Sequence, residues 1–206
     1  MWLIIRRKEK RMDKISYALG LSIGNNFQNS GIINLQVEDF VKGLNDVLSG
    51  AQPAISYDEA KQVINEFFMN LQKQKLELNK KAGEEFLTIN KGKAGVVTLP
   101  SGLQNQVLQN GEGAKPTASD KVKCHYHGTL INGTVFDSSV QRGQPAVFGV
   151  SQVIPGWVEA LQLMSVGSKW RLFIPSELAY GEQGAGDVIE PNSTLIFDVE
   201  LLEIVK

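Results

Sequence analysis

Val153-Ile154-Pro155-Gly156-Trp157 is the stretch on which the reading of this chain turns. It joins an extended segment to a short apolar-faced helix expected over Trp157 to Met164. Pro155 biases Ile154 toward an extended backbone, and Gly156 allows a tight turn into the helix. Trp157 then takes the first helical position, where its indole can face inward. A large flat apolar surface beside a fixed extended backbone makes a pocket floor. The plainer alternative is a buried core tryptophan. Five residues do not decide between them, so their surroundings must.

Outward from this stretch, the periodicity is that of strands. Leu103 to Gln109, Lys121 to Leu130, Lys169 to Ile174 and Thr194 to Ile204 alternate in strand fashion. Val122, Cys124 and Tyr126 share one face, as do Leu195, Phe197, Val199 and Leu201. Asn132-Gly133 is a hairpin turn signal. One short helix among such strands predicts an α+β domain over residues 96–206, an antiparallel half-barrel sheet wrapped around that helix.

Upstream, Gly92, Gly95, Pro100 and Gly102 interrupt the pattern. Before them everything is helical. Ile15, Leu19, Ile23 and Phe27 fall four apart; Val37, Phe40, Val41, Leu44, Val47 and Leu48 make a second helical stripe, with Gly50 as its stop. Ser56-Tyr57-Asp58-Glu59 reads as a capping box. The helix it opens runs to about Lys91, on the order of 50 Å at ~1.5 Å per residue. Its middle, Gln72 to Lys81, is Gln, Lys, Glu and Asn in the main, which predicts a solvated stalk between two packed ends. Residues 13–55 thus form an all-α segment and residues 56–92 a long linking helix. Short helices carrying Phe27, Phe40, Phe67 and Phe68 bury too little alone. A second copy is the simplest cover, so a homodimer through the N-terminal helices is expected.

The composition narrows the function. A net charge of −1 over 206 residues gives no support for a nucleic-acid binder. No apolar run approaches the ~20 residues of a membrane span. Cys124 is the single cysteine, so no intrachain disulfide forms. Trp2-Leu3-Ile4-Ile5 precedes a basic run, the reverse of a secretory signal. Residues 1–12 are therefore expected to be a disordered extension, and the compartment to be the cytoplasm, with the periplasm as the alternative.

Chemistry-bearing clusters are few. His125 and His127 share a strand face but find no convincing third ligand, so neither metal nor other cofactor is expected. Ser138 and Ser139 follow Asp137 without a nucleophile-elbow sequence. Gly181-Glu182-Gln183-Gly184-Ala185-Gly186 lacks the strand and helix that a phosphate loop needs, and is expected to be a flexible surface loop. What remains is a set of aromatics, Tyr126, Phe136, Phe148, Trp157, Tyr180 and Phe197, with one acid, Asp137, beside Phe136.

Their order carries a resemblance. Cys124-His125-Tyr126-His127-Gly128, Val135-Phe136-Asp137-Ser138-Ser139, Val153-Ile154-Pro155-Gly156-Trp157, Gln162-Leu163-Met164-Ser165-Val166-Gly167, Ala179-Tyr180-Gly181 and Leu195-Ile196-Phe197-Asp198-Val199-Glu200-Leu201 resemble the FKBP-type peptidyl-prolyl isomerase domain. The N-terminal half resembles the dimerisation segment of the bacterial macrophage-infectivity-potentiator-like subgroup, with Ser16-Tyr17-Ala18-Leu19-Gly20 in its first helix. The resemblance implies a cis-trans isomerase of Xaa-Pro bonds acting without a nucleophile. It implies a pocket of Tyr126, Phe136, Asp137, Phe148, Val153, Ile154, Trp157, Tyr180 and Phe197, with Ile189 and Arg142 at its edge. Trp157 would be the floor, and Arg142 the basic partner of Asp137. Ala146 stands where many members carry a second phenylalanine, and Ala185 where some carry a histidine. Both shrink the rim on which substrate preference and macrolide affinity depend. Implied partners are a second copy of the chain, proline-containing unfolded or nascent proteins, and macrolide inhibitors. The rival expectation is a dimeric chaperone or binding module without catalysis.

Overall fold

A computed structural model describes residues 12–205. Apart from Met12, the extension expected over residues 1–12 lies outside them. The chain falls into two compact units divided between Leu71 and Gln72. No described helix is long and apolar enough to cross a membrane.

The first unit holds α1 (Lys14–Asn29), α2 (Val37–Ser49) and the first part of α3 (Tyr57–Asn90). Local chemistry sets their ends. The Asp13 carboxylate accepts from the Ser16 N–H at 2.8 Å and caps α1. Gly50 closes α2 in the left-handed region that glycine adopts most cheaply. The Ser56 hydroxyl accepts from the Glu59 N–H at 3.1 Å and opens α3. Phe27 and Phe40 meet edge to face at 5.4 Å, yet neither α1 nor α2 buries a residue. Leu19, Leu44, Val63, Ile64, Phe67 and Phe68 all stand exposed.

The second unit is a seven-stranded antiparallel sheet, with order β1-β2-β6-β7-β3-β4 and β5 also paired to β3. The strands are β1 (Val96–Thr98), β2 (Gln104–Gln109), β3 (Lys121–Leu130), β4 (Val135–Ser138), β5 (Ala146–Gly149), β6 (Lys169–Ile174) and β7 (Leu195–Val205). Strand β3 is the spine. It pairs along its whole length with β7 on one side, and on the other with β5 and then β4. Its alternation sends Val122, Cys124, Tyr126 and Gly128 inward, against α4 (Pro155–Leu163). Trp157, Ala160 and Leu161 of α4, with Met164 just after it, fill the concave side together with Leu172, Ile174, Leu195, Val199 and Leu201. A proline at the first helical position costs α4 no hydrogen bond.

Residues 72–81, the expected stalk, are exposed or half-buried, and none of them is buried. Residues 72–90 of α3 belong to the second unit and lie against it. Asn79 and Lys75 bond the chain at Glu190 and Pro191, and Asn90 is fully buried, donating from Nδ2 to Gln104 Oε1 at 2.9 Å. The polar middle is held by polar partners, which apolar periodicity cannot register. Gly83 is the tightest approach. A Cβ there would overlap Thr194 Oγ1 and lie 3.3 Å from Thr194 Cβ. Alanine gains about 1 kcal/mol in helix propensity, but overpacking costs about 1–3 kcal/mol. Gly83→Ala is therefore expected to lower Tm. In a Thr194→Ala background the same change should be neutral or stabilising. A higher Tm for Gly83→Ala alone would show that this contact is loose.

Candidate active site

The site gathers where β3, β4, β5, β7 and α4 converge. Tyr126 and Phe197 point inward from adjacent strands, while Phe148 comes from β5 and Phe136 from β4. The Ile154-Pro155 step delivers Trp157 beneath them: Ile154 is extended (φ −59°, ψ 149°) and its carbonyl accepts from the N–H groups of Trp157 and Val158. Three rings stand nearly perpendicular to the indole. Phe197 lies at 5.2 Å and 81°, Tyr126 at 5.5 Å and 83°, and Phe148 at 5.6 Å and 79°. Phe136 extends the wall, edge to face with Phe197 at 5.2 Å. The arrangement is a floor with apolar walls. Trp157 itself is buried, 4% exposed. Its Nε1–H is buried and meets no acceptor among the described residues.

At the edge sits a closed polar triangle. The Tyr126 hydroxyl donates to Asp137 Oδ2 at 2.5 Å and accepts from Arg142 Nη2 at 2.8 Å, while Arg142 Nη1 donates to Asp137 Oδ1. Burial pushes the Asp137 carboxyl up, but the hydrogen bonds from Tyr126 and Arg142, with the guanidinium charge, outweigh it and hold the group below its ordinary value. Burial, and next the bond to Asp137, push the Tyr126 phenol up, so it remains a donor. Burial pushes the Cys124 thiol up to about 12, which leaves it inert as a nucleophile.

Of the expected site residues, Tyr126, Phe136, Phe148, Val153, Ile154, Trp157, Ile189 and Phe197 pack in or against one cluster, and Asp137 and Arg142 join it through Tyr126. Tyr180 stands more apart, 40% exposed at the start of a short turn. Within the loop, Ala185 and Ile189 exchange backbone hydrogen bonds at 2.8 and 3.1 Å. His125 and His127 each place Nδ1 on a serine hydroxyl, Ser139 and Ser138 respectively.

Two residues escaped the sequence reading. Gly128 lies under the walls: a Cβ there would meet Phe136 Cζ at 2.6 Å and Phe197 Cε1 at 2.8 Å. A glycine inside an otherwise alternating strand is the available signal of such close approach. Ser139 is fully buried, and its hydroxyl accepts from the Tyr126 N–H at 2.8 Å and donates to the Tyr126 carbonyl at 3.2 Å. It fixes the backbone of the residue that joins floor and triangle.

The family model for FKBP-type peptidyl-prolyl cis-trans isomerase matches residues 112–202, and that for the domain amino terminal to it matches residues 12–107. The chain is 49% identical over 201 residues to the outer membrane protein MIP of Legionella longbeachae, covering 94% of this chain and 86% of that one. It is 50% identical over 192 residues to the FKBP-type 22 kDa peptidyl-prolyl cis-trans isomerase of Escherichia coli strain K12, covering 92% and 93%. The crystal structure of FkpA from Escherichia coli superposes with a TM-score of 0.75 at 36% identity, over 95% of this chain and 97% of that one. The chain belongs to the FKBP-type peptidyl-prolyl cis-trans isomerase family and is an isomerase of that type.

Proposed function

We propose that the ring-walled floor at Trp157 is where the Xaa-Pro bond turns. The observation that carries this is the set of three rings perpendicular to the indole, with a closed acid triangle beside them. Rotation breaks amide resonance and meets a barrier of roughly 18–20 kcal/mol. The planar amide is charge-separated and the twisted one less so. Apolar walls therefore disfavour the ground state more than the transition state, and that difference lowers the barrier. Each ~1.4 kcal/mol gained is tenfold in rate. Trp157, Phe136 and Phe197 hold the proline ring and exclude water, with Phe148 and Val153 behind them. The Ile154 N–H and the Tyr180 hydroxyl bond substrate carbonyls. Asp137, oriented by Tyr126 and Arg142, sets the polar edge. The test is isomerisation of a proline tetrapeptide by the purified chain; a rate equal to buffer, with the fold intact, overturns the reading. Macrolides that fill the pocket are expected to compete with the peptide.

Acid sensitivity follows from the triangle. A carboxyl held below its ordinary value of 3.8 is ionised at neutral pH. Its contribution is present above that value and is lost as pH falls through the lower folded one. The pH profile of kcat/KM is thus expected to be level from about 8 to about 5 and to collapse only below the ordinary carboxylate range. An inflection near pH 6 would overturn the role of Asp137.

The second reading adds a role for the helices. Residues 14–71 leave large apolar side chains uncovered, Ile15, Leu19, Phe67 and Phe68 among them. A second copy of the same helices covers them, and sedimentation is expected to give twice the 22.7 kDa chain mass; a 22.7 kDa species at micromolar concentration would refute the dimer. In the cleft of that dimer, unfolded chains are held near the two pockets. Residues 72–206 alone should then keep activity on tetrapeptides and lose it on a refolding protein. Equal loss on both overturns the chaperone role. The cytoplasmic assignment rests on the lone buried thiol of Cys124, which asks for no oxidising compartment; recovery from the periplasm on fractionation overturns it.

A further inference from the structure

The loop from Gly184 to Ser193 carries Ile189 into the apolar cluster. A groove of about 410 Å³ separates the loop, α3 and the β3–β4 hairpin, with Ala82, Leu130, Asp187, Val188 and Thr194 on its sides. Open space supplies no restoring contacts. The loop is placed instead by polar bonds from one stretch of α3. Asn79 Nδ2 donates to Pro191 O at 2.9 Å and to Glu190 Oε2 at 3.2 Å. Lys75 Nζ donates to Glu190 Oε1 at 3.2 Å. Asn192 Nδ2 donates to Leu76 O at 3.2 Å. Asn192 is the one described non-glycine residue with positive φ, 57°, a conformation asparagine tolerates better than most residues. Its N–H donates to Gly181 O at 2.8 Å, next to Tyr180. The same helix thus reaches the residues that follow Ile189 and, through Asn192, the turn that follows Tyr180. Lys75 and Glu190 are 42% and 48% exposed, so their ion pair is screened and weak. The Asn79 amide makes two of the bonds, one of them part-buried, and carries more of the hold.

We propose that Asn79 is a positioning residue for the isomerase: with Asn192 as its counterpart, it holds the loop where Ile189 and Tyr180 close one wall of the proline pocket. The proposal rests on the pocket reading above. A wall displaced by about 1 Å is enough to cost activity without unfolding anything.

The test uses the full chain, in Asn79→Ala, Asn79→Asp and Asn79→Asp/Glu190→Gln forms. Asn79→Ala is expected to lower kcat/KM on a proline tetrapeptide about fivefold. Asn79→Asp sets a carboxylate against Glu190 and the Pro191 carbonyl and should cost more. Adding Glu190→Gln gives that carboxylate a donor and should recover much of the loss, a rescue that general destabilisation would not show. Amide exchange at Ala185 and Ile189 should quicken in both single variants while β3 and β7 stay protected. Unchanged kcat/KM despite faster loop exchange overturns the proposal, as does a loss that Glu190→Gln fails to restore. Phe136→Ala in the same assay separates the two readings. If it too is fully active, the pocket reading has failed; if it alone is impaired, only the role of Asn79 has.

Discussion

Phe136→Ala is expected to lower kcat/KM on a proline tetrapeptide by about 30- to 100-fold, while the folded chain loses only about 1–2 kcal/mol. The two effects separate because Phe136 is a wall rather than core. It is partly exposed, packs on the buried cluster at its margin and meets Phe197 edge to face at 5.2 Å. Truncating a fully buried ring costs about 3–5 kcal/mol, but this ring is only partly buried, so its removal admits water instead of leaving a sealed void. Catalysis loses more. Its apolar contact with the substrate is expected to be worth on the order of 2 kcal/mol, as for the burial of one large apolar side chain. The water it admits also solvates the planar amide that the pocket must disfavour. Tm and kcat/KM measured on one preparation decide the matter. A stability loss matching the activity loss would make Phe136 a core residue and move the site elsewhere.

The long elements could be read from residues alone. Ten residues of clean alternation in β3 are what burial on one face imposes, and the apolar stripes of α1 and α2 follow the helical period although neither helix buries a residue in the single chain. The short strands could not. β1 has three residues, and β4 and β5 have four each, too few for alternation to stand out from loop. Yet β4 carries Phe136 and Asp137, and β5 carries Phe148, so much of the pocket wall sits on elements without a local signature. Those residues were reached through the order of the motifs, not through periodicity. The polar contacts of α3 leave no trace in the apolar pattern for another reason. Its contacts at Lys75, Asn79 and Asn90 are hydrogen bonds between polar groups, and a polar stretch on a helix looks the same whether it faces water or a matched loop. Ser139 likewise stood in plain sight as a weak nucleophile candidate, when its hydroxyl serves the backbone of Tyr126.

Gly128→Ala is expected to cost on the order of 100-fold in kcat/KM. Gly128 sits on β3 opposite Phe197 of β7 and Asp137 of β4. Its backbone does not need glycine, since its φ lies outside the left-handed region. Alanine in a strand would by itself gain about 0.5–1 kcal/mol. Space decides instead. The new Cβ would fall 2.6 and 2.7 Å from Phe136 carbons and 2.8 Å from Phe197. Both are rigid rings that cannot yield by rotating a chain end, so both walls must shift by several tenths of an ångström, away from a floor already ringed at 5.2 to 5.6 Å. Overpacking of this kind costs about 1–3 kcal/mol of stability, which outweighs the strand gain, so Tm falls as well. Combining Gly128→Ala with Phe136→Leu relieves the contact with Phe136, though not that with Phe197, and should restore part of the Tm. It should not restore kcat/KM, because the relieved pocket still lacks its wall. Recovery of activity along with stability would mean that the rings are only filler. Full activity in Gly128→Ala alone would mean that the substrate does not use this wall, and the assignment of Phe136 and Phe197 would fall with it.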